Sequence, residues 1–171
     1  MELNFKEVQK CLIEDNKKYL DIEDFEISGI SIDTRTMKKG EIFICIKGDK
    51  YDANDFIDIA IKKGVKAIIT DKKVDLEGIP VIVVENVIES MQKLAEFYLK
   101  KMNVKVIAVT GSTGKTTTKN MIDIILSNKY KVFSTEKNYN SQIGTSLTIF
   151  NLDSSYDIAI LELGMDKFRR N

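Results

Sequence analysis

The sequence predicts an α/β fold with parallel sheets in both halves of the 171-residue chain. Short apolar runs of strand composition alternate with segments of helical spacing, which is the pattern of βαβ units. A turn with two glycines at 111–114 joins a run of β-branched residues directly to a helical segment. A chain of this length forms one large or two small domains and buries a core without disulfides or structural metals.

The first half is predicted to begin with a short helix that Asn4 caps and that carries apolar residues on one side. Asn86 is predicted to cap a longer amphipathic helix, which ends at Met102 and bridges two domains. The other predicted elements of this half are strands at 25–33, 41–47, 67–70 and 81–84 and a helix at 54–63 that Gly64 ends.

The second half is predicted to open with a buried strand at 104–109, followed by the glycine turn and a helix that Lys115 begins. The apolar residues with helical spacing in that helix are Met121, Ile122, Ile125 and Leu126. Further predicted elements are strands at 131–134 and 156–163 and a helix at 145–150.

The strand, turn and helix at 104–126 have the composition of a phosphate-binding loop, or P-loop. Such a turn aims backbone N–H groups and the positive end of a helix dipole at one point, and glycine allows the positive φ and the close approach of a phosphate. We expect Lys115 to reach the β- and γ-phosphates of a nucleotide and the Thr116 hydroxyl to bind Mg²⁺. The candidate nucleotide-binding residues are Gly111, Ser112, Thr113, Gly114, Lys115, Thr116 and Thr117.

The spacing of this loop is shorter than the general pattern G-x-x-x-x-G-K-[ST], because Val109 stands where the first glycine is expected. An ordinary turn between a strand and a helix is therefore the alternative interpretation.

Glu162 is predicted to end a buried strand at the same edge of the sheet as the loop, because ligands of parallel sheets bind outside the carboxyl ends of the strands. Its carboxylate is then a candidate Mg²⁺ ligand together with Thr116. A solvated glutamate at the end of a strand is the alternative.

The composition excludes several classes of function. The 26 basic and 26 acidic residues cancel, so no net charge attracts nucleic acid or a membrane surface, and the absence of histidine excludes Ser-His or Cys-His catalysis within this chain. Cys11 and Cys45 lack metal-site spacing and are predicted to be core thiols. With no signal peptide and no apolar run long enough to span a bilayer, we expect a cytoplasmic protein without nucleic-acid or membrane partners.

Five segments together resemble the amino-terminal part of the Mur ligases, and the resemblance extends to Met165. It implies a small amino-terminal α/β substrate domain at 1–102, followed by the beginning of a P-loop parallel-sheet ATPase domain at 103–171. The segments are VTGSTGKTTTK at 109–119, NYNSQIG at 138–144, LELGM at 161–165, SIDTR at 31–35 and GEIFICIKG at 40–48.

The resemblance implies an ATP- and Mg²⁺-dependent amide ligase of peptidoglycan precursor synthesis. In the family member most similar to it, the γ-phosphate of ATP is transferred to the terminal carboxylate of UDP-N-acetylmuramoyl-tripeptide, and the amine of D-alanyl-D-alanine attacks the resulting acyl phosphate. Lys115 and Glu162 then have catalytic roles. The implied substrate-binding residues are Ser31, Thr34, Arg35 and Lys47 for the uridine diphosphate, and Asn138 and Asn140 near the acceptor carboxylate.

Simpler interpretations of these substrate residues stay open. Asp33 and Arg35 are also suited to closing a turn, and the two asparagines to capping a loop.

The resemblance covers only the amino-terminal part of the family's three domains, so we expect a truncated, monomeric form with little or no activity by itself. One alternative is the Mur ligase that adds the third amino acid. Another is a non-catalytic module that binds UDP-muramoyl-peptide. A third alternative, a small P-loop kinase or GTPase, is disfavoured because it gives the first hundred residues no role.

Overall fold

The computed structural model describes residues 1–13, 21–135 and 141–164. The chain divides into two compact units, Met1–Phe97 and Tyr98–Asn171. The division falls within the long helix α3, Val87–Met102, whose amino terminus Asn86 caps through its side-chain oxygen. The domain boundary expected between residues 102 and 103 stays a prediction.

The first unit begins with a small antiparallel pair of strands and the predicted first helix. Asn4 caps this helix reciprocally with Glu7, because each side chain accepts the other residue's backbone N–H. Phe5 and Val8 are fully buried, so the helix packs by the side that its spacing predicted. The elements are β1 (Leu3–Asn4), α1 (Phe5–Leu12) and β2 (Glu26–Ile27).

A four-stranded parallel sheet forms the rest of the first unit, in the order β3-β4-β5-β6. Its two central strands are buried along their whole length, which explains their continuous apolar sequences. The elements are β3 (Ile30–Ser31), β4 (Ile42–Ile44), a 3₁₀ turn (Ala53–Phe56), α2 (Ile57–Lys62), β5 (Ala67–Thr70) and β6 (Val81–Val83).

Two predicted elements of this unit are divided in the structure. The strand expected at 25–33 is split into β2 and β3 because the first part pairs with β1 and the second with β4. The helix expected at 54–63 begins as a 3₁₀ turn, where Asp52 accepts the Asn54 N–H. Gly64 follows its end with a φ of +80°, as a helix-ending glycine requires.

The second unit contains a three-stranded parallel sheet in the order β7-β9-β8. The central strand β9 is buried at every position. The elements are β7 (Lys105–Val109), α4 (Lys115–Leu126), β8 (Val132–Ser134), α5 (Gln142–Ile149) and β9 (Ile158–Glu162).

The prediction that β7 is buried is wrong for most of the strand. Among the strands that the structure describes, β9 is its only neighbour, and Val109 is the only buried residue of β7. The helix predicted after the loop is confirmed as α4, although Met121 and Ile125 of its apolar set are 59% and 68% exposed. Only the other two residues of the predicted apolar set, Ile122 and Leu126, pack against the core of the sheet.

Both cysteines are free and buried, as predicted. Burial raises the pKa of the Cys11 thiol, and burial together with nearby carboxylates raises that of Cys45 to about 12. Within the described ranges, no helix combines the length and the apolar character needed to span a bilayer.

Candidate functional site

The loop between β7 and α4 depends on two glycines with positive φ. Gly111 has a φ of +145° and Gly114 one of +76°, values that L-residues with a Cβ rarely adopt. A Cβ at Gly114 meets no atom within 4 Å, so the backbone conformation, rather than space, requires glycine there. Gly114 immediately precedes α4, which places the loop at the positive end of that helix.

Lys115 is folded across this loop. Its Nζ donates a hydrogen bond to the carbonyl oxygen of Gly111 at 2.7 Å, and its side chain is half-buried. The ammonium group therefore lies beside the loop backbone. Ser112 and Thr113 lie between the two glycines, and Thr117 follows in the first turn of α4 with its residue exposed.

The structure brings Glu162 to the same end of the sheet as the loop. The parallel register of β7 and β9 sets Val109 opposite Glu162, and the pairing continues with a 2.9 Å bond from the Leu163 N–H to the Val109 carbonyl. The Thr116 hydroxyl donates to Glu162 Oε2 at 2.9 Å, although the two residues are 46 positions apart. Glu162 is 8% exposed.

This pair of oxygens fits a Mg²⁺ ion. Neighbouring ligands of an octahedral Mg²⁺ with bonds of about 2.1 Å lie about 3 Å apart. The 2.9 Å between Thr116 Oγ1 and Glu162 Oε2 matches that spacing. Among the described residues no cluster of three or more histidine, cysteine or acidic residues forms a metal site.

Lys119 and Thr135 adjoin this pair and were not among the predicted site residues. Lys119 is 6% exposed and Thr135 is 3% exposed. The Lys119 ammonium donates to the Thr135 carbonyl at 2.5 Å, and the Thr135 hydroxyl accepts the Glu162 N–H at 3.0 Å. The sequence signal that could have identified Lys119 is its helical spacing, because it lies three residues after Thr116 and four after Lys115.

The first unit contains a cavity of about 420 Å³ beside the turn at 32–35. Thr34 and Arg35 line it, whereas Ser31 and Lys47 are not among its lining residues. Ser31 is buried, and its hydroxyl bonds to the backbone of Asp33. The lining residues are Ile32, Asp33, Thr34, Arg35, Phe43, Ile46, Gly48, Tyr51, Ala53 and Phe56.

Arg35 closes the turn through Asp33, as the alternative interpretation proposed. The guanidinium bonds to both carboxylate oxygens of Asp33, at 2.6 to 3.0 Å, while the Arg35 side chain stays 87% exposed. These bonds lower the pKa of Asp33. Lys63, which follows α2, fixes the same turn by donating to the Thr34 carbonyl at 2.6 Å.

A polar cluster lies next to this cavity, at the 3₁₀ turn and the end of β5. Asp52 accepts a bond from Lys72 at 2.8 Å and two from Asn54, and Thr70 donates to the Asn54 side chain. The bond from Lys72 is the largest cause that lowers the pKa of Asp52 to about 2.

Replacing Lys72 with methionine is expected to raise the pKa of Asp52 from about 2 toward its ordinary value of 3.8. A carboxylate whose pKa is lowered by folding stabilises the fold above its unfolded pKa, and that stabilisation is lost as the pH falls through the folded pKa. The wild-type unfolding midpoint in urea should therefore fall between pH 4 and pH 2 more than that of Lys72→Met. NMR titration of the Asp52 carboxyl measures the shift directly.

The control for this titration is Lys73→Met, which removes a neighbouring exposed lysine. It should leave the Asp52 titration unchanged. An equal shift in both variants would show that general charge, rather than the Lys72 bond, sets the pKa of Asp52.

Asn138 and Asn140 lie outside the described residues, so their predicted roles stay predictions.

Models of known protein families match both parts of this chain. Residues 26–115 match the model "Mur ligase family, catalytic domain", and residues 109–171 match "Mur ligase middle domain". A curated relative is the UDP-N-acetylmuramoyl-tripeptide--D-alanyl-D-alanine ligase of Bacillus subtilis, 39% identical over 145 residues, which are 84% of this chain and 32% of the relative. The chain thus spans about a third of the length of that relative.

Solved structures show the same likeness. A crystal structure of MurF from Acinetobacter baumannii matches with a TM-score of 0.82 and 28% identity, over 93% of this chain and 35% of that one. MurF from Thermotoga maritima, solved in complex with ADP, matches with a TM-score of 0.73 and 34% identity, over 80% and 32% of the two chains. Since the catalytic-domain model alone matches more than half of the residues, the chain belongs to the Mur ligase family.

Proposed function

We propose that this chain supplies the ATP-binding loop and the UDP-substrate region of an ATP-dependent ligase. The ligase adds D-alanyl-D-alanine to UDP-N-acetylmuramoyl-tripeptide. The activity for which the Bacillus subtilis relative is named and the similarity to MurF structures support this choice of substrates. The ADP complex of the Thermotoga maritima neighbour supports the nucleotide.

The single observation that carries the proposal is the meeting of the glycine loop, Lys115 and the pair Thr116 and Glu162 at one end of the sheet. Phosphoryl transfer requires mainly positioning and neutralisation of charge. In our proposal, the loop N–H groups and the Lys115 ammonium bind the β- and γ-phosphates. Thr116 and Glu162 hold the Mg²⁺ that screens the same charge.

Bound ATP would supply the γ-phosphoryl group that activates the tripeptide's terminal carboxylate as an acyl phosphate, with ADP as the leaving group. Attack by the dipeptide amine would then form the amide bond and release inorganic phosphate and a proton. In our proposal, the loop residues orient the γ-phosphate for this transfer. The Lys115 ammonium group has three N–H donors, so it can keep its bond to the Gly111 carbonyl and also donate to phosphate oxygens, which are strong acceptors because they are charged.

We propose that the cavity of the first unit binds the uridine end of the substrate. Tyr51 and Phe56 provide apolar ring surface, and Thr34 and Arg35 provide polar groups at its wall. The Lys47 side chain is exposed next to the lining residue Gly48, within reach of solvent-side phosphates. Ser31 contributes by holding the Asp33 backbone. A monomeric, cytoplasmic protein stays a prediction.

Replacing Lys115 with alanine is expected to weaken binding of Mg-ATP by on the order of 100-fold, or about 2.7 kcal/mol. The variant removes the one loop cation that is held beside the backbone. Titration calorimetry with Mg-ATP measures the change. Lys129→Ala, which removes an exposed lysine beyond α4, is the matched control and should bind like the wild type.

Two outcomes would contradict the proposal. If the wild type does not bind Mg-ATP, or if both lysine variants bind it as well as the wild type, the loop is an ordinary turn. A parallel titration with UDP-N-acetylmuramoyl-tripeptide then separates the alternatives. Binding of that ligand without any response to Mg-ATP identifies a non-catalytic binding module.

A further inference from the structure

Lys119 is a buried cation that the proposed phosphate chemistry does not use. Among the residues that the structure describes, Lys119 and Glu162 are the only charged residues in the buried class, at 6% and 8% exposed. Burying an ammonium group is unfavourable unless hydrogen bonds replace its water. A methionine of similar shape avoids that cost, so stability alone does not explain a lysine at this position.

The bonds of Lys119 lead to Glu162 through a single residue. Its Nζ donates to the carbonyl oxygen of Thr135 at 2.5 Å. Thr135 follows directly after β8 and continues the sheet, since its N–H donates to the Ile160 carbonyl at 3.0 Å. Its hydroxyl donates to the same carbonyl at 3.2 Å and accepts the Glu162 N–H at 3.0 Å.

These bonds complete a ring that begins and ends on α4. Thr116 and Lys119 are one helical turn apart on α4, and each bonds to the carboxyl end of a different strand. Thr116 bonds to the Glu162 carboxylate on β9, and Lys119 to Thr135 after β8. Thr135 joins the two strand ends, so it fixes the Glu162 backbone from the β8 side of the sheet, opposite to β7.

We propose that Lys119 is a positioning residue for the metal side of the phosphate site. Its ammonium group holds Thr135, which holds the backbone of Glu162 and thereby sets the carboxylate beside the Thr116 hydroxyl. Lys119 itself contacts neither nucleotide nor metal. This inference rests on the proposed function, because it assumes that Thr116 and Glu162 hold Mg²⁺.

The test compares Lys119→Met, which removes the charge at similar length, with Lys119→Arg, which restores a cation. Lys129→Met is the control for loss of an exposed lysine. For each protein, ATP affinity is measured with Mg²⁺ and with EDTA. In ligand-free protein, hydrogen exchange of the Glu162 amide is followed by NMR.

Lys119→Met should reduce the gain in ATP affinity from Mg²⁺ at least tenfold and leave the affinity in EDTA within threefold, because Lys115 and the loop are untouched. Exchange of the Glu162 amide should accelerate at least tenfold. Lys119→Arg should restore more than half of the gain on a logarithmic scale, and Lys129→Met should match the wild type.

A second variant changes Thr135, through which Lys119 is connected to Glu162. Thr135→Val keeps the shape and the carbonyl that accepts from Lys119, but it removes the hydroxyl that accepts the Glu162 N–H. It should reproduce the loss of the Mg²⁺ gain, and it tests the inference if Lys119→Met does not fold.

The inference is overturned if Lys119→Met keeps the Mg²⁺ gain, or if both affinities fall by the same factor, as general destabilisation predicts. Failure of the proposed function is distinguishable, because the wild type then shows no Mg²⁺ gain at all. In that case the hydrogen-exchange rate of the Glu162 amide still tests the positioning role. An unchanged rate in both Lys119→Met and Thr135→Val overturns it.

Discussion

Replacing Glu162 with glutamine is expected to abolish the Mg²⁺-dependent gain in ATP affinity, a loss of at least tenfold, without lowering the free energy of unfolding. Glutamine keeps the size of the side chain and an oxygen that accepts from Thr116. It removes the negative charge, which is what a hard divalent cation binds most strongly. Since Glu162 is 8% exposed, a neutral side chain there also avoids the cost of burying a carboxylate.

The test is sharp because the Mg²⁺-dependent gain in ATP affinity should be lost while the free energy of unfolding does not fall. Replacing a residue that is retained for packing destabilises the protein, whereas replacing a residue that is retained for function often stabilises it. ATP titrations with Mg²⁺ and with EDTA give the binding effect, and urea unfolding followed by circular dichroism gives the stability effect. Glu77→Gln, at an exposed position, is the control for loss of one negative charge and should change neither.

If Glu162→Gln keeps the full Mg²⁺ gain, Glu162 does not bind the metal. If the variant loses stability and its ATP affinity falls equally with and without Mg²⁺, the carboxylate has a structural role through Thr116. Either result would remove the metal assignment and leave only the proposal that the loop around Lys115 binds phosphate.

The glycine loop at 111–114 could be predicted from sequence because its determinants are local. Gly111 and Gly114 supply the two positive φ values, and strand, loop and helix follow one another without interruption. The position of Glu162 followed from a general rule of parallel sheets, which sets the ends of neighbouring strands at one edge. These two arguments required no knowledge of what lies beside each strand.

Features that depend on distant residues were not predictable. An apolar spacing indicates which residues of a helix are hydrophobic but not what covers them, so Met121 and Ile125 were grouped with residues that do pack. The edge position of β7 likewise follows from the sheet order rather than from its own sequence. Lys119 was overlooked because lysine is nearly always a surface residue, and its partner lies 16 positions away.

Replacing Tyr98 with alanine is expected to lower the free energy of unfolding of the second unit by about 3 to 5 kcal/mol, the range for large buried aromatic residues. Tyr98 is fully buried, its ring packs at 6.3 Å from that of Phe150, and its hydroxyl donates to the Leu152 carbonyl at 2.7 Å. The variant therefore leaves a cavity and removes the partner of a carbonyl in one step.

Tyr98→Phe separates these two contributions, because it keeps the ring and removes only the hydroxyl. It should cost about 1 to 2 kcal/mol, the penalty for leaving a buried carbonyl without its donor. Tyr51→Ala, at a residue 74% exposed, is the control and should change the urea midpoint little. A loss for Tyr98→Ala no larger than that for Tyr51→Ala would mean that this end of α3 does not hold the second unit together. An equally large loss for Tyr98→Phe would instead assign the effect to the Leu152 bond rather than to packing.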